Sequence, residues 1–419
     1  MTIWPKLYKI QQKLAQPTLD TIENEVKREI DFILSNHSLP QGAKIGITAG
    51  SRGIYQIVKI LYVIVQVLKE HGYHPFLFSA MGSHGGGTAE GQLDILHHIG
   101  ITEETMGCPV IASSDVLQIG ITDQGIKGLS VYIAKEAYEA DGILVVNRIK
   151  PHTSFRGEYE SGLLKMMAVG MGRREGAEMV HRLGVDQLAY SIPSIAKKMM
   201  EIAPFLGGLG IVENGMEQTA LLKGTNMDEI LTVEKELLVQ AKAFMPNIPV
   251  KKIDVAIIQE MGKNFSGTGM DTNVIGRMRI EGIPEPDHIA IQYLAVLDLT
   301  EESQGNATGI GLADFTTEKL VNKMDKQKTY LNCLTSGFVT RAAIPMTFSD
   351  DETLFSGIGQ VFKQEDLSLL RLVILQNTLH IDQFWVSETI YQELKNISSI
   401  EVLEGPLEIQ FDSHHQFII

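Results

Sequence analysis

The sequence contains little cysteine, since Cys108 and Cys333 are the only two among 419 residues. Two cysteines so far apart give no disulfide framework, fit a reducing compartment and are a poor start for a thiolate zinc site. The N-terminus lacks an apolar region followed by a small-residue cleavage site, so no secretory signal is predicted. The longest apolar run, residues 57–68, includes Lys59 and Gln66 and is too short to cross a bilayer. We therefore expect a cytoplasmic protein that does not associate with membranes.

Positive charge is also scarce, because 36 Lys and Arg residues face 51 Asp and Glu residues, for a formal net charge of −15. This balance argues against a general nucleic-acid binder, which needs a basic face to neutralise phosphates. A local basic pocket for a small anion remains compatible with it. Hydrophobic residues make up 44% and charged residues 21%, which is ordinary for a globular protein. The length is sufficient for two or three domains.

Short β-rich runs alternate with helical patterns along the whole chain, which predicts an α/β fold with mostly parallel sheets flanked by helices. Two prolines within residues 246–249 end a long helix and indicate a domain boundary. We predict an N-terminal catalytic and cofactor-binding α/β domain over residues 1–247 and a C-terminal α/β domain over 248–405. Residues 406–419 are predicted as a tail that could return to the N-terminal domain. The active site is expected in the cleft between the two domains.

Basic and titratable residues are concentrated in residues 148–181 of this otherwise acidic chain. The strand-like run 142–149 leads into a proline and His152, and open α/β folds place their chemistry at the carboxyl ends of strands. Lys165 has apolar neighbours, where a desolvated lysine has a lowered pKa and becomes a nucleophile. The alternative is a lysine that reaches the surface along its apolar stem. His181 follows after 181 − 165 = 16 positions and is either a metal ligand or a helix-surface residue.

Two earlier strand ends carry further candidates. One ends at Gly50, Ser51 and Arg52 before an apolar helix, a turn in which backbone N–H groups and the helix dipole face an anion. The other ends in the sequence GSHGGGT, where His84 is either an acid/base group or a surface-loop histidine. His152 is likewise either an acid/base group or a histidine with a structural partner. Five arginines could hold carboxylates or phosphates: Arg52, Arg148, Arg156, Arg173 and Arg174. We expect about two of the five to do so, because most arginines are solvated.

Together, His84, His152, Lys165 and His181 resemble the pattern of the lactate racemase superfamily. Members of that superfamily carry a nickel-pincer nucleotide, a pyridinium-3,5-bisthiocarboxylic acid mononucleotide that grips nickel through two sulfurs and a ring carbon. The resemblance covers most of the chain, and the lysine-to-histidine interval is its most specific feature. Glycine-rich stretches in the C-terminal half resemble an uncharacterised branch of nickel-pincer isomerases rather than lactate racemase itself.

The resemblance implies a role for each of these residues. His84 and His152 would be the acid/base histidines, Lys165 would become covalently joined to the cofactor, and His181 would be the nickel ligand. Arg52 would hold or polarise the substrate. The other residues expected to bind the cofactor are Gly50, Ser51 and Lys263, of which the last is the nearest counterpart of the family's second-domain lysine.

The implied activity is racemisation or epimerisation of a 2-hydroxy acid by proton-coupled hydride transfer to the cofactor, with one histidine serving each enantiomer. The implied partners are the small-molecule hydroxy acid and the cofactor-biosynthesis proteins, without which the cofactor is expected to be absent. A homo-oligomer remains open. Three glycines follow His84, and the interval from His152 to Lys165 is 165 − 152 = 13 positions, longer than in the lactate enzymes. These departures predict a larger or more polar acid than lactate.

Two other functions remain open on the sequence alone. One is a hydrolase or lyase that uses a histidine-bound zinc or iron ion. The other is a two-lobed, non-catalytic binder of an anionic metabolite that closes around the proline-rich hinge at residues 246–249.

Overall fold

The computed structural model describes residues 2–14, 17–19 and 21–418, so the last residue of the predicted tail lies outside the described residues. The strands are β1 (Leu7–Gln12), β2 (Lys44–Ala49), β3 (His74–Ser79), β4 (Val110–Ile111), β5 (Val116–Ile121), β6 (Ser130–Ala134), β7 (Gly142–Arg148), β8 (Phe205–Glu213), β9 (Thr219–Thr225), β10 (Lys252–Met261), β11 (Ala290–Leu299), β12 (Phe315–Thr317), β13 (Met346–Phe348), β14 (Leu372–Leu375), β15 (Gln383–Ser387) and β16 (Ile400–Leu407).

The helices are α1 (Ile22–Leu34), α2 (Ile57–Glu70), α3 (Ala89–Ile99), α4 (Glu103–Met106), α5 (Lys135–Tyr138), α6 (Leu163–Lys165), α7 (Arg173–His181), α8 (Leu188–Ile202), α9 (Ile230–Phe244), α10 (Thr272–Ile275), α11 (Glu318–Lys323), α12 (Lys326–Ser336), α13 (Asp351–Phe362) and α14 (Glu388–Leu394). The chain forms two compact units. We call residues 15–245 the N-terminal unit and residues 1–14 with 246–419 the C-terminal unit. Among the described residues, no helix has the length and apolar character that a membrane crossing requires.

The N-terminal unit is built on a six-stranded sheet in the order β4-β3-β2-β7-β8-β9, parallel except for the last pair. Strand β7 is buried on both faces, which explains its continuous apolar sequence. Ile143 and Val145 belong to the core on one face, while Leu144 and Val146 belong to the core on the other. Helices cover both faces, as a parallel sheet requires.

Strand β2 lies at the point where the strand order reverses, because the chain passes to β3 on one side of it and later places β7 on the other. Backbone pairing between β2 and β7 ends at Ile47 and Leu144. Beyond that pair, the Thr48 hydroxyl donates to the Val146 carbonyl over 3.1 Å and accepts from the Val146 N–H over 2.8 Å. A buried side chain thus replaces the backbone ladder at the carboxyl ends of these strands. Ligands of open α/β sheets bind at such switch points.

The C-terminal unit contains an eight-stranded sheet in the order β13-β12-β11-β10-β14-β15-β1-β16. The first five strands in this order are parallel, and the last three are antiparallel to their neighbours. This architecture and that of the N-terminal unit confirm the predicted α/β class with two mostly parallel sheets flanked by helices.

The two ends of the chain differ from the predicted ranges. Strand β1 lies within the C-terminal sheet, where Leu7 and Ile10 are fully buried, rather than in a domain formed by residues 1–247. The tail was predicted to return to the N-terminal domain. Its Phe411 and Phe417 rings instead lie 5.2 and 5.5 Å from the ring of Phe355 in the C-terminal unit. Burial of apolar side chains explains both placements, because Leu7 belongs to the core of the C-terminal unit and Phe411 and Phe417 pack against that core.

Candidate active site at the strand switch point

Three loops of the N-terminal unit carry the predicted residues. Ser51 and Arg52 follow β2, His84 follows β3, and His152 follows β7. Since β3, β2 and β7 are adjacent and parallel, their carboxyl ends meet at one edge of the sheet. The loops after β2 and β3 are in direct contact there, because the Ser51 hydroxyl is hydrogen-bonded to Nδ1 of His84.

The glycine-rich loop that carries His84 is anchored rather than freely flexible. The buried side-chain amide of Gln92 donates to the carbonyl of Gly82 over 3.0 Å and to that of His84 over 3.4 Å. Gly85 has a φ of +63°, and a Cβ there would lie 2.5 Å from the carbonyl carbon of Gly91. Only glycine fits this position without strain. The glycines therefore allow a close approach of α3 that holds the histidine loop in place.

Lys165 ends helix α6, and the helix continues as a π-helical segment, Met166–Met171. Such π segments are rare and occur frequently at functional sites. The segment packs against the loops after β2 and β3. The Gly82 N–H donates to the Gly170 carbonyl over 3.2 Å, and a Cβ at Gly50 would lie 3.2 Å from the Met166 methyl group. These contacts hold the segment that follows Lys165 against both loops, and Lys165 itself is partly buried.

His152 contacts Lys165 directly, with 2.8 Å between the imidazole Nε2 and Nζ. The other ring nitrogen, Nδ1, accepts the backbone N–H of Ser154 over 3.1 Å, so the proton of a neutral ring lies on Nε2. Nε2–H therefore donates to Nζ. Because an ammonium group has no lone pair to accept this bond, the contact is matched only when Lys165 is a neutral amine.

The surroundings of Lys165 favour the same neutral form. Desolvation by burial, and then the positive charges of Arg52 and Lys150, lower the pKa of Lys165 from 10.5 to about 8. A lysine amine that is available near neutral pH is a nucleophile. The positive charges of Arg52 and Lys150 make this part of the unit attractive to a carboxylate or a phosphate.

His181 is the last residue of α7. Its ring is accessible to solvent, yet the surrounding protein and the charge of Lys165 together lower its pKa. The two residues therefore lie within electrostatic range of each other, and the imidazole is held in the neutral form that binds metals. Among the described residues, no group of three or more His, Cys, Asp or Glu side chains could hold a metal ion.

Arg148 was among the candidate anion-binding residues, but the structure pairs it with Glu213. The same carboxylate accepts the backbone N–H of Tyr55 over 2.8 Å. Glu213, at the end of β8, thus holds the end of β7 through Arg148 and the loop after β2 through the Tyr55 N–H. Arg148 has a structural role at this position, and Arg52 is the arginine whose charge acts on Lys165.

Arg173 and Arg174 also have protein partners. Arg173 is buried, is paired with Glu136 and donates to the carbonyl of Asp115 over 2.6 Å. Arg174 is exposed and pairs with Glu178 one turn further along α7, at 2.8 Å. Both arginines are therefore engaged by carboxylates, and Arg174 lies beside Gly87 of the loop that carries His84. The expectation that such arginines hold a ligand remains a prediction, and it applies first to Arg52.

Lys263 belongs to the C-terminal unit, where its ammonium group donates to the Gly267 carbonyl over 2.5 Å and to the side-chain oxygen of Asn332 over 3.3 Å. These contacts hold the loop after β10. Its role in cofactor binding remains a prediction, as does a site between the two units.

Sequence reasoning missed three residues that act on the site. Lys150 precedes Pro151 and lowers the pKa of Lys165, while the Ser154 N–H fixes the His152 tautomer. Glu234 accepts the backbone N–H of Leu164 over 2.9 Å. The sequence offered a signal for Glu234, because it lies on the apolar face of α9 with Ile230, Val233, Leu237 and Leu238. A carboxylate at such a position needs a specific partner.

Residues 50–236 match the model of a family described as a domain of unknown function (DUF362). A solved structure of a Thermotoga maritima protein resembles the chain with 15% identity and a TM-score of 0.50, over 79% of this chain and 83% of that one. The lactate racemase apoprotein from Thermoanaerobacterium thermosaccharolyticum shows 12% identity and a TM-score of 0.45, over 81% and 83%. No curated protein matches the sequence. At these identities the Thermotoga likeness is one of fold, and the matched range 50–236 contains the loops and the helix that form the candidate site.

Proposed function

We propose that the protein is an isomerase, a racemase or epimerase of a 2-hydroxy acid that uses a nickel-pincer nucleotide. The observation that carries the proposal is the 2.8 Å contact between Nζ of Lys165 and Nε2 of His152, in surroundings that lower the pKa of both Lys165 and His181. An amine for covalent attachment and one imidazole for nickel are what this cofactor needs from the protein. The resemblance described above supplies the identity of the cofactor.

The residues present fit this group chemically. The Lys165 amine would attach the nucleotide, and His181 would complete the nickel ligands, because a cofactor that brings two sulfurs and a carbon needs one further donor. The cationic setting of Lys165, made by Arg52 and Lys150, suits the phosphate of a mononucleotide. When bound, the cofactor supplies a hydride acceptor, which makes possible the cleavage of a C–H bond that is not acidic enough for simple deprotonation.

The chain's own residues would handle the substrate carboxylate and the hydroxyl proton. Arg52 offers a planar cation for the carboxylate. His84 and His152 would each take the hydroxyl proton of one enantiomer. The Ser51 hydroxyl is hydrogen-bonded to Nδ1 of His84, so Nε2 is the nitrogen of this ring that would act on the substrate. His152 carries its proton on Nε2 in the tautomer that Ser154 fixes, so it would act as a base at Nε2 only in the other tautomer, with the proton on Nδ1.

The test combines reconstitution with a metal measurement. Protein produced with the cofactor-building enzymes should contain nickel, carry added mass at Lys165 and erode the optical purity of some members of a panel of chiral 2-hydroxy acids. The His181→Ala variant should lose nickel and activity. A matched control is His97→Ala, which changes a histidine on helix α3 of the same unit. Full nickel content and activity in the His181→Ala variant would refute the ligand assignment.

The same protein preparation distinguishes the two alternative functions from the proposal, through its metal content, the mass of Lys165 and its turnover of hydroxy acids. One zinc or iron ion per chain with no mass added at Lys165 would favour a histidine-metal hydrolase or lyase. Binding of a hydroxy acid without turnover and without added mass would favour a non-catalytic binder.

A further inference from the structure

A buried carboxylate lies directly behind the turn that carries Lys165. Glu234, on helix α9, is 1% exposed, and its Oε2 accepts the backbone N–H of Leu164 over 2.9 Å. The N–H of Leu163 also acts on this carboxylate as a hydrogen-bond donor. These are two of the first N–H groups of α6, which lack partners within the helix. Glu234 therefore caps the turn from a second helix.

The N-cap residue of α6 cannot itself cap the helix. Gly162 occupies the N-cap position, where Ser, Thr, Asp or Asn usually provides a capping oxygen, and it has no side chain. A Cβ at Gly162 would overlap with Oε1 of Glu234. Glycine at position 162 therefore leaves room for the Glu234 side chain. Glu234 in turn provides the capping oxygen that a glycine cannot provide.

Helix α9 also holds the partner of Lys165. The backbone N–H of His152 donates to the buried side chain of Glu160 over 2.7 Å. The same Glu160 side chain forms an ion pair with Lys242 of α9 at 2.7 Å. Eight positions separate Glu234 from Lys242 (242 − 234 = 8), about two helical turns. One rigid helix therefore anchors both the turn that presents the amine and the loop that presents the imidazole.

We propose that Glu234 is a positioning residue that caps the Lys165 turn from helix α9 and thereby aligns the amine with His152. The proposal rests on the role of Lys165 as the attachment point, but not on the identity of the cofactor or the substrate. Glu234 touches neither, and it acts through the backbone of Leu163 and Leu164. The charged or titratable groups that face Lys165 itself are Arg52, Lys150, His152 and His181.

The test measures the amine directly in full-length, cofactor-free protein. A trace of acetic anhydride is added at a series of pH values, and mass spectrometry gives the acetylation rate of Lys165 relative to the exposed Lys127 of the same unit. The variants are Glu234→Ala, Glu234→Gln, and Glu234→Ala combined with Gly162→Ser. The serine provides a capping oxygen at the N-cap itself, whose extended backbone accepts any residue.

Loss of the cap should free the amine from His152 and raise its pKa, so Glu234→Ala should lower the rate at pH 7.5 about tenfold. Glu234→Gln keeps an acceptor oxygen and should stay close to the unmodified protein. The Gly162→Ser combination should restore the rate. Burial raises the pKa of Glu234 to about 8, so only part of this group is charged at pH 7.5. Removal of that negative charge alone would shift the profile of Lys165 in the opposite direction, because a lost anion lowers the pKa of a nearby lysine.

The outcomes separate this inference from the proposed function. An unchanged Lys165 profile in Glu234→Ala, with only a lower melting temperature, would overturn the positioning role. A downward shift of the profile in both single variants would also overturn it, because it would show a purely electrostatic effect. If the unmodified protein itself showed an ordinary lysine profile, the premise of the proposed function would fail instead. Should Glu234→Ala not fold, Glu234→Leu takes its place, because leucine fills the space of the side chain without an acceptor oxygen and should lower the acetylation rate of Lys165 in the same way.

Discussion

The hydrogen bond between His152 and Lys165 leads to the most stringent prediction. With a pKa of about 8, about one quarter of Lys165 is amine at pH 7.5, whereas an ordinary lysine with a pKa of 10.5 is about one part in a thousand amine. Lys165 should therefore exceed an exposed lysine about two hundredfold in amine fraction. The His152→Ala substitution removes a donor that binds only the neutral form and admits water, and both effects raise the pKa of Lys165.

Competitive acetylation across pH 6 to 10 measures this difference in one sample, with Lys127 as the internal reference. The profile of Lys165 in the unmodified protein should have its midpoint near pH 8. The His152→Ala profile should move to higher pH. Ser154→Ala is the matched control, because it removes a neighbouring side chain but keeps the backbone N–H that fixes the His152 tautomer.

An identical midpoint in His152→Ala and in the unmodified protein would refute the role of the imidazole contact, because burial and the charges of Arg52 and Lys150 would then be sufficient to set the pKa of Lys165. Those contributions have their own test. Lys150→Met removes one like charge and should raise the pKa of Lys165, although the imidazole contact is retained.

The remaining predictions concern stability and are measured by chemical denaturation. Thr48→Val should lower the free energy of unfolding by about 1–3 kcal/mol, because it unpairs a buried N–H where the strands separate, and Thr48→Ser should cost less. Gly170→Ala should cost about 1–3 kcal/mol, since its Cβ would lie 2.7 Å from a backbone carbonyl oxygen, whereas Gly53→Ala meets nothing within 4 Å. Arg173→Ala breaks a buried ion pair and should cost about 3–5 kcal/mol without a specific change in Lys165 acetylation.

The general architecture could be predicted because it depends on local patterns. The alternation of apolar runs and helical periods is repeated many times, so the α/β class follows from the sequence alone. Strand β1 could not be assigned to the C-terminal sheet, because the sequence of a short amphipathic strand does not indicate which strands it pairs with. It pairs with β15 and β16, which lie near the other end of the chain.

The candidate residues could be identified at strand ends, but their contacts could not. Lys165 in an apolar run suggested a perturbed amine, and the structure gives a lowered pKa. The cause of the perturbation depends on groups from several segments. Arg52 reaches Lys165 from the loop after β2, and Ser154 sets the proton of His152 through its backbone, which no side-chain pattern reveals.

The residues that organise this site share a property that a sequence could reveal, namely a polar group at a position that periodicity assigns to the core. Thr48 is buried in β2, and Glu234 is buried in α9. Burial of each polar group destabilises the fold unless a hydrogen-bond partner is present. Each group therefore requires a specific contact that an apolar residue at the same position would not need. For Thr48 the partner lies 98 positions away, and for Glu234 it lies 70 positions away. The two partners are backbone groups of β7, which leads to His152, and of α6, which ends at Lys165. Polar residues inside apolar patterns therefore indicate which parts of the backbone are held in place for the candidate site.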